Sequence, residues 1–294
     1  MISYDSVKEL ADMAAKAGKR ISDIVLRDQA LHMGKTEEEL FGNMQRSLQV
    51  MREAAAKGGM SGGRSPSGLS GGDAHKLKLA VERGRTLGGR VLGEVLVKAL
   101  ATAEVNACMG RIVAAPTAGS CGIIPAVLLT MGEEKGIPED RLVMSLFTAS
   151  GIGMVIARRA CISGAQGGCQ AECGSASAMA AAAAVELAGG TPQMVVHACA
   201  IALKSVLGLV CDPVAGLVEI PCIKRNASGA ANALVAAELA LAGIKSAIPA
   251  DEVISAMKAI GDAMPAALRE TAEGGLAATP AAKRLEALLE QRRQ

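Results

Sequence analysis

The chain has 294 residues, a net charge of +2 and an apolar content of 50%. That length and apolarity exclude a disordered chain and suffice for one large domain or two ordinary ones. A near-balanced charge without a long basic tract excludes a nucleic-acid-binding surface. Aromatic residues are almost absent: there is no Trp, and only Tyr4, Phe41 and Phe147. The core must therefore be Leu, Val, Ile, Met and Ala. Small residues let helices approach closely, and Ala is the best helix former, whereas strand-rich folds carry more β-branched and aromatic residues.

From the start, Met1-Ile2-Ser3-Tyr4-Asp5 leads directly into an amphipathic pattern with charges of both signs and no signal-peptide pattern. Apolar residues at three- and four-residue spacing predict helices over 5–17, 22–33 and 36–57. Thr36-Glu37-Glu38-Glu39 fits a capping box for the third helix. The MGKT at 33–36 is not a phosphate-binding loop, because that motif needs Gly where Gln29 stands. Residues 58–73, GGMSGGRSPSGLSGGD, admit two readings. Composition alone favours a flexible linker. Alternatively, glycines let successive backbone N–H groups converge and serine hydroxyls add donors, which makes an anion-binding loop.

Further on, helical patterns cover 75–86, 91–109, 121–133, 138–158, 174–188, 193–209, 228–242, 250–260 and about 279–292, with Gly, Pro or polar punctuation between most of them. The most apolar stretch, SASAMAAAAAVELAGG (175–190), contains Glu186 and is short for a membrane span, which takes about 20 apolar residues; it reads as a buried core helix. Part of 195–210 is β-branched, but its length favours helix. The basic end, Glu290 to Gln294, suits a solvated helix terminus. No internal repeat is visible. The expected fold is all-α: a single mostly helical domain over 1–294, with N-terminal helices over 1–57, a Gly/Ser loop over 58–73 and the remaining core over 74–294.

Three glycine-rich junctions interrupt the helices: APTAGSCGIIPA (115–126), SGAQGGCQAECGSASA (163–178) and CDPVAGLVEIPCIKRNASGAANA (211–233). Each contains cysteine and precedes or opens a helix, a placement that aims backbone N–H groups at one point. Eight cysteines in a chain without a leader read as reduced thiols or metal ligands rather than disulfides. Cys169, Cys211 and Cys222 stand out by context. Cys173 adds a CxxxC spacing that matches neither zinc-ribbon pairs nor the bacterial ferredoxin run. Core packing competes with metal binding for any one of them, and Cys108, Cys161 and Cys199 read as core residues. His197 reads as a satisfied core histidine and His32 as a solvated helix end. His75, after the glycine loop and Asp73, is the one candidate acid–base histidine. No HExxH zinc pattern occurs; GxSxG spacing falls only within the Gly/Ser loop, at 59–63 and 68–72, where no strand-to-helix elbow supports Ser-His-Asp catalysis; and the Asn226-Ala227-Ser228 sequon is a chance match.

The blocks APTAGSCGIIPAVL, SGAQGGCQAECGSASAMAAA, CDPVAGLVEIPCIKRNASGAANAL and SPSGLSGGDAHKL, over about 60–245, resemble the signature blocks of iron–sulfur-dependent L-serine dehydratase (L-serine ammonia-lyase), in particular the alpha subunit of its two-chain form. The resemblance implies a cytoplasmic, non-membrane lyase of amino-acid degradation, with a place in gluconeogenesis. It implies a 4Fe–4S cluster on Cys169, Cys211 and Cys222, with Cys121 and Cys173 as small packing residues nearby. An iron left without a protein ligand would act on the hydroxyl of L-serine, and water loss would yield aminoacrylate, then pyruvate and ammonium. Substrate carboxylate donors would be Ser65, Ser67, Gly68 and the segment Thr117, Ala118, Gly119 and Ser120, so the resemblance favours the anion-loop reading of 58–73. Single-chain members carry an N-terminal β domain with an SSSHT-like block and the proposed base histidine. This sequence has no such block, so a separate beta subunit is expected to supply the base. Some members end in a cysteine that reaches the free iron at rest, whereas this chain ends QRRQ. Three other readings compete: an L-cysteine desulfidase-like lyase on a related cluster site, a pyridoxal-phosphate dehydratase, which the lack of strand–helix alternation disfavours, and a non-enzymatic thiol-rich scaffold.

Overall fold

The structure, a computed structural model, describes residues 4–60 and 63–293; two positions of the Gly/Ser loop and both chain extremities lie outside that range. Helix α9 (Ser175–Leu187) is its axis, and every residue of it is buried. Its alanine run ends each side chain at Cβ, so α6 (Ile123–Lys135), α7 (Glu139–Arg159), α10 (Pro192–Lys204) and α11 (Cys222–Leu241) all pack directly against it. Two of the polar groups on α9 are matched: Glu186 accepts from the Thr148 hydroxyl at 2.7 Å and the Ser22 amide at 3.2 Å, and the Ser177 hydroxyl donates to the Gly229 carbonyl; the buried Ser175 hydroxyl has no partner among the described residues.

Around this axis, α1 (Val7–Ala17) packs on α10, α2 (Ile21–Met33) on α7, and α3 (Glu37–Gly58) on α5 (Gly89–Ala107). The expected capping box is present: the Glu39 amide donates to Thr36 Oγ1 at 3.1 Å and the Thr36 amide to Glu39 Oε2 at 2.8 Å. Short α4 (Asp73–Glu82) also lies on α5, where Glu104 Oε1 accepts from the amides of Asp73 at 2.7 Å and Ala74 at 3.3 Å. A buried carboxylate on the first-turn donors fixes where this helix begins. A four-residue turn, α8 (Gly164–Gly167), contacts α12 (Ala250–Ala263), and α13 (Pro280–Arg293) packs against the Val214–Gly216 turn. Among the described residues there is no strand, only an isolated bridge between Cys211 and Arg269. The fold is all-α.

Three expectations shift. Helix α11 starts at Cys222 rather than 228, because Pro221 can open a helix and the carbonyls of Glu219 and Pro221 accept from Ile223 and Arg225 at 3.0 and 3.1 Å. Helix α10 stops at Lys204 rather than 209, leaving a turn over 205–208. Of the cysteines expected in the core, only Cys199 is buried; Cys108 caps the exposed end of α5 and Cys161 is half-buried. All eight thiols are free. His197 is half-buried and accepts from the Ser246 amide at 3.3 Å, and His32 is exposed. Asn226 of the sequon is buried. Helix α7 is long and apolar enough to cross a membrane, but 72% of its apolar stretch is buried inside the fold, as expected of a core helix.

Candidate metal centre

Each of the three singled-out cysteines is placed by a different junction. Cys169 follows the α8 turn and leads into a π-helical turn, Gln170–Gly174, that continues as α9. Such π insertions often mark functional sites. Gln170 clasps this turn to the next junction. It is fully buried; its amide group donates to Gly167 O at 3.0 Å and Met257 O at 3.1 Å, and its carbonyl accepts from Gly208 N at 2.9 Å. Its own backbone N–H donates to Leu209 O at 2.9 Å, so the Cys169 turn is tied to the chain just before Cys211. Cys211 is fixed on both sides by the 268–270 segment: its N–H donates to Leu268 O at 2.9 Å and its carbonyl accepts from Glu270 N at 2.7 Å. Its sulfur lies over Gly164, where any Cβ would come within 2.9 Å of it. Cys222 is the first residue of α11. Asn226, one turn on, donates to Cys222 O at 3.0 Å and Gly119 O at 2.7 Å and accepts from Gly122 N at 2.8 Å, linking the third junction to the first.

The three thiols are buried and within electrostatic reach of one another. Burial raises the Cys211 and Cys222 thiols, Cys222 to about 12, and the nearby Cys169 sulfur raises both further. Cys169 moves the other way: a hydrogen bond from the Cys173 thiol, 3.3 Å away, and the charge of Arg225 outweigh desolvation and hold it below its usual range. Arg225, itself largely buried, acts electrostatically on Cys169, donates to Val210 O at 2.8 Å and pairs with Asp212 Oδ1 at 2.8 Å. Asp212 also accepts from Leu276 N at 2.8 Å, so the aspartate after Cys211 anchors both the arginine and the C-terminal segment.

Two carboxylates complete the surroundings. Glu172 is raised by burial despite a hydrogen bond from the Thr117 hydroxyl, and Gly119 packs so close that a Cβ there would meet Glu172 Oε1 at 2.6 Å. Thr117 and Ser120 lie 2.9 Å apart, while the Ala118 and Gly119 carbonyls turn to Asn106 and Asn226. The expected segment Thr117–Ser120 thus walls the cysteine site through Glu172. The Gly/Ser loop does something different. Ser65 donates to Glu219 Oε2 at 2.7 Å, Ser67 to Oε1 at 2.8 Å, and Ser70 also to Oε2. Gly68 N closes the turn onto Ser65 O at 2.8 Å, and Arg292 reaches Ser67 O at 3.2 Å. Residues 63–73 of the loop are therefore folded, and the hydroxyls of Ser65, Ser67 and Ser70 hold a carboxylate of the 211–222 segment. His75 turns toward Gly59 O, with Nδ1 at 3.4 Å.

Two buried thiols pushed toward the protonated state, and a third lowered by its thiol neighbour and an arginine, form a donor set that a cation would deprotonate and hold. The residues present fit a metal or iron–sulfur centre. Sequence reading missed Gln170, Glu172, Glu219 and Arg225, although all four lie inside the quoted blocks.

Residues 16–277 match the family of the serine dehydratase alpha chain. The chain belongs to that family. It is 53% identical over 283 residues to a probable L-serine dehydratase alpha chain of Bacillus subtilis, covering 96% of this chain and 94% of that one. It is 43% identical over 281 residues to an L-serine dehydratase alpha chain of Peptoniphilus asaccharolyticus, covering 96% of each. A longer L-serine dehydratase of Escherichia coli is 38% identical over 289 residues, where the match covers 94% of this chain but 62% of the relative. The alpha-chain relatives thus correspond to this chain almost end to end, and the longer relative extends well beyond it.

Proposed function

We propose that this chain is the cluster-bearing subunit of an L-serine ammonia-lyase, with Cys169, Cys211 and Cys222 holding a 4Fe–4S cluster. The observation that carries this reading is the convergence of three buried thiols, from three separate junctions, beside the largely buried guanidinium of Arg225. When bound, a cluster iron without a protein ligand supplies Lewis acidity at the hydroxyl of L-serine. The chain's own residues do the rest of the holding. Arg225 offsets thiolate charge at Cys169, and Gln170 and Asn226 fix the distances between the three junctions. Burial keeps water from the sulfurs. Thr117, Ala118, Gly119 and Ser120 form the wall against which the substrate carboxylate is gripped, with the hydroxyls of Thr117 and Ser120 as donors. Ser65, Ser67 and Gly68 act through Glu219, steadying the segment that ends in Cys222. The base that takes the α-proton comes from a separate beta chain, which the alpha-chain naming of the relatives supports.

Anaerobic iron and sulfide analysis tests the ligand set. Wild type should carry the cluster, and Cys169→Ala, Cys211→Ala and Cys222→Ala should each lose most of it. Full occupancy in all three variants would overturn the assignment. Pyruvate formation by the chain reconstituted with its partner should be much faster from L-serine than from L-cysteine; the reverse preference would identify a desulfidase.

A further inference from the structure

Cys173 was expected only to pack beside the cysteine site, yet its sulfur lies 3.3 Å from that of Cys169. The π-helical turn over Gln170–Gly174 brings Cys169, Glu172 and Cys173 to one side of the chain. All three are buried, and one ligand atom from each lies within 4.8 Å of the others. Tetrahedral thiolate sites have metal–sulfur bonds of about 2.3 Å, which sets sulfurs about 3.8 Å apart. The Cys169–Cys173 pair thus needs to open by roughly half an ångström to straddle one ion.

The surroundings favour a single cation. Two thiolates and a carboxylate bring three negative charges, which a divalent ion and Arg225 together would balance. An outer hydrogen bond that orients a ligand is already made, from the Thr117 hydroxyl to Glu172, and the charge of Arg225 acts on Cys169. Mixed thiolate and carboxylate donors suit zinc and its spectroscopic substitute cobalt rather than magnesium or calcium.

We propose that Cys169, Glu172 and Cys173 form a mononuclear site for a thiophilic divalent ion of the zinc type, with a fourth position open, and that this ion excludes the cluster because both need Cys169. The competition half rests on the cluster assignment above; the site itself does not. It makes zinc a specific antagonist of cluster assembly in this chain.

The test uses the full-length chain prepared free of iron under anaerobic conditions and titrated with Co²⁺. Wild type should develop thiolate-to-cobalt charge-transfer and visible d–d bands that saturate at one ion per chain and are bleached by Zn²⁺. Cys173→Ser and Glu172→Gln should each weaken Co²⁺ binding by at least about tenfold, and Cys211→Ser and Cys222→Ser should leave it unchanged. Glu172→Gln preserves side-chain shape, so the test stands even if the Cys173 variant misfolds; circular dichroism checks each protein. Preloading wild type with Zn²⁺ should lower later iron and sulfide uptake. Loss of Co²⁺ binding in Cys211→Ser or Cys222→Ser, with Cys173→Ser and Glu172→Gln unaffected, would overturn the site. Iron uptake is read on the same proteins: full uptake by Cys211→Ser and Cys222→Ser would defeat the cluster assignment and leave the cobalt result standing.

Discussion

Ser65→Ala separates two roles for the Gly/Ser loop. The Ser65 hydroxyl donates to the buried Glu219 carboxylate at 2.7 Å, lies 3.0 Å from Ser67 Oγ and accepts from Ser70 N at 3.4 Å. Hydrogen bonds to a charged group are worth about 1.5–3 kcal/mol, and Glu219 Oε2 keeps Ser70 as a second donor, so the expected loss lies near the lower end, about 1.5 kcal/mol. The effect should spread to Cys222, because the Glu219 carbonyl accepts the Ile223 N–H that opens α11. Urea unfolding followed by far-ultraviolet circular dichroism should show a lower midpoint with an unchanged slope. The reconstituted enzyme should lose iron faster on dilution while its KM for serine stays near the wild-type value. An unchanged midpoint together with a raised KM would refute the scaffold role and make Ser65 a direct substrate ligand.

Asn226→Ala removes a side chain that bridges Cys222, Gly119 and Gly122, and should destabilise the chain by about 3 kcal/mol or more, read as the same urea midpoint shift. Gly119→Ala places a methyl against Glu172 Oε1, so it should displace that carboxylate and reduce cobalt affinity as well as turnover, with little change in far-ultraviolet dichroism. Buried Cys121 and Cys199 have thiols raised from 9.0 to about 12. A raised folded-state value favours the protonated thiol in the native state. That stability is complete below pH 9.0 and should be lost as pH rises toward about 12, with thiolate absorbance appearing together with unfolding. Thiolate absorbance at these cysteines well below pH 9.0 in the folded chain would contradict the burial argument.

Helices were legible because one signal dominates them. Apolar spacing with alanine and no aromatic bulk admits close helix packing and little else, so 175–190 reads as a core helix and becomes the fully buried α9. Boundaries were less legible where a side chain from a distant segment sets them. Helix α4 begins at Asp73 because Glu104 accepts its first amides, and no local pattern near 73 announces a carboxylate on another helix. The same limit explains Cys108. Its neighbours are apolar enough for a core position, but it falls where α5 ends and the chain turns outward.

The site divides along a similar line. Junctions rich in Gly, Ser and Thr signal that donors converge, and they do. Local composition does not say which anion the donors meet. At Ser65, Ser67 and Ser70 the acceptor is Glu219, more than a hundred residues away in sequence, and at Thr117 it is Glu172. A free substrate carboxylate and an internal glutamate ask the same of a hydroxyl, so the motif alone cannot tell a binding loop from a strut. What distinguishes the two junctions is where the internal acceptor lies: that of the Gly/Ser loop, Glu219, stands on the segment leading to Cys222. Thr117 differs in position rather than chemistry: its acceptor, Glu172, itself borders the cysteine sulfurs, and Ser120 stands 2.9 Å from the Thr117 hydroxyl. On the proposed function, donors beside a group that borders the thiols stand where a substrate would be gripped, whereas donors on Glu219 act through the backbone leading to Cys222.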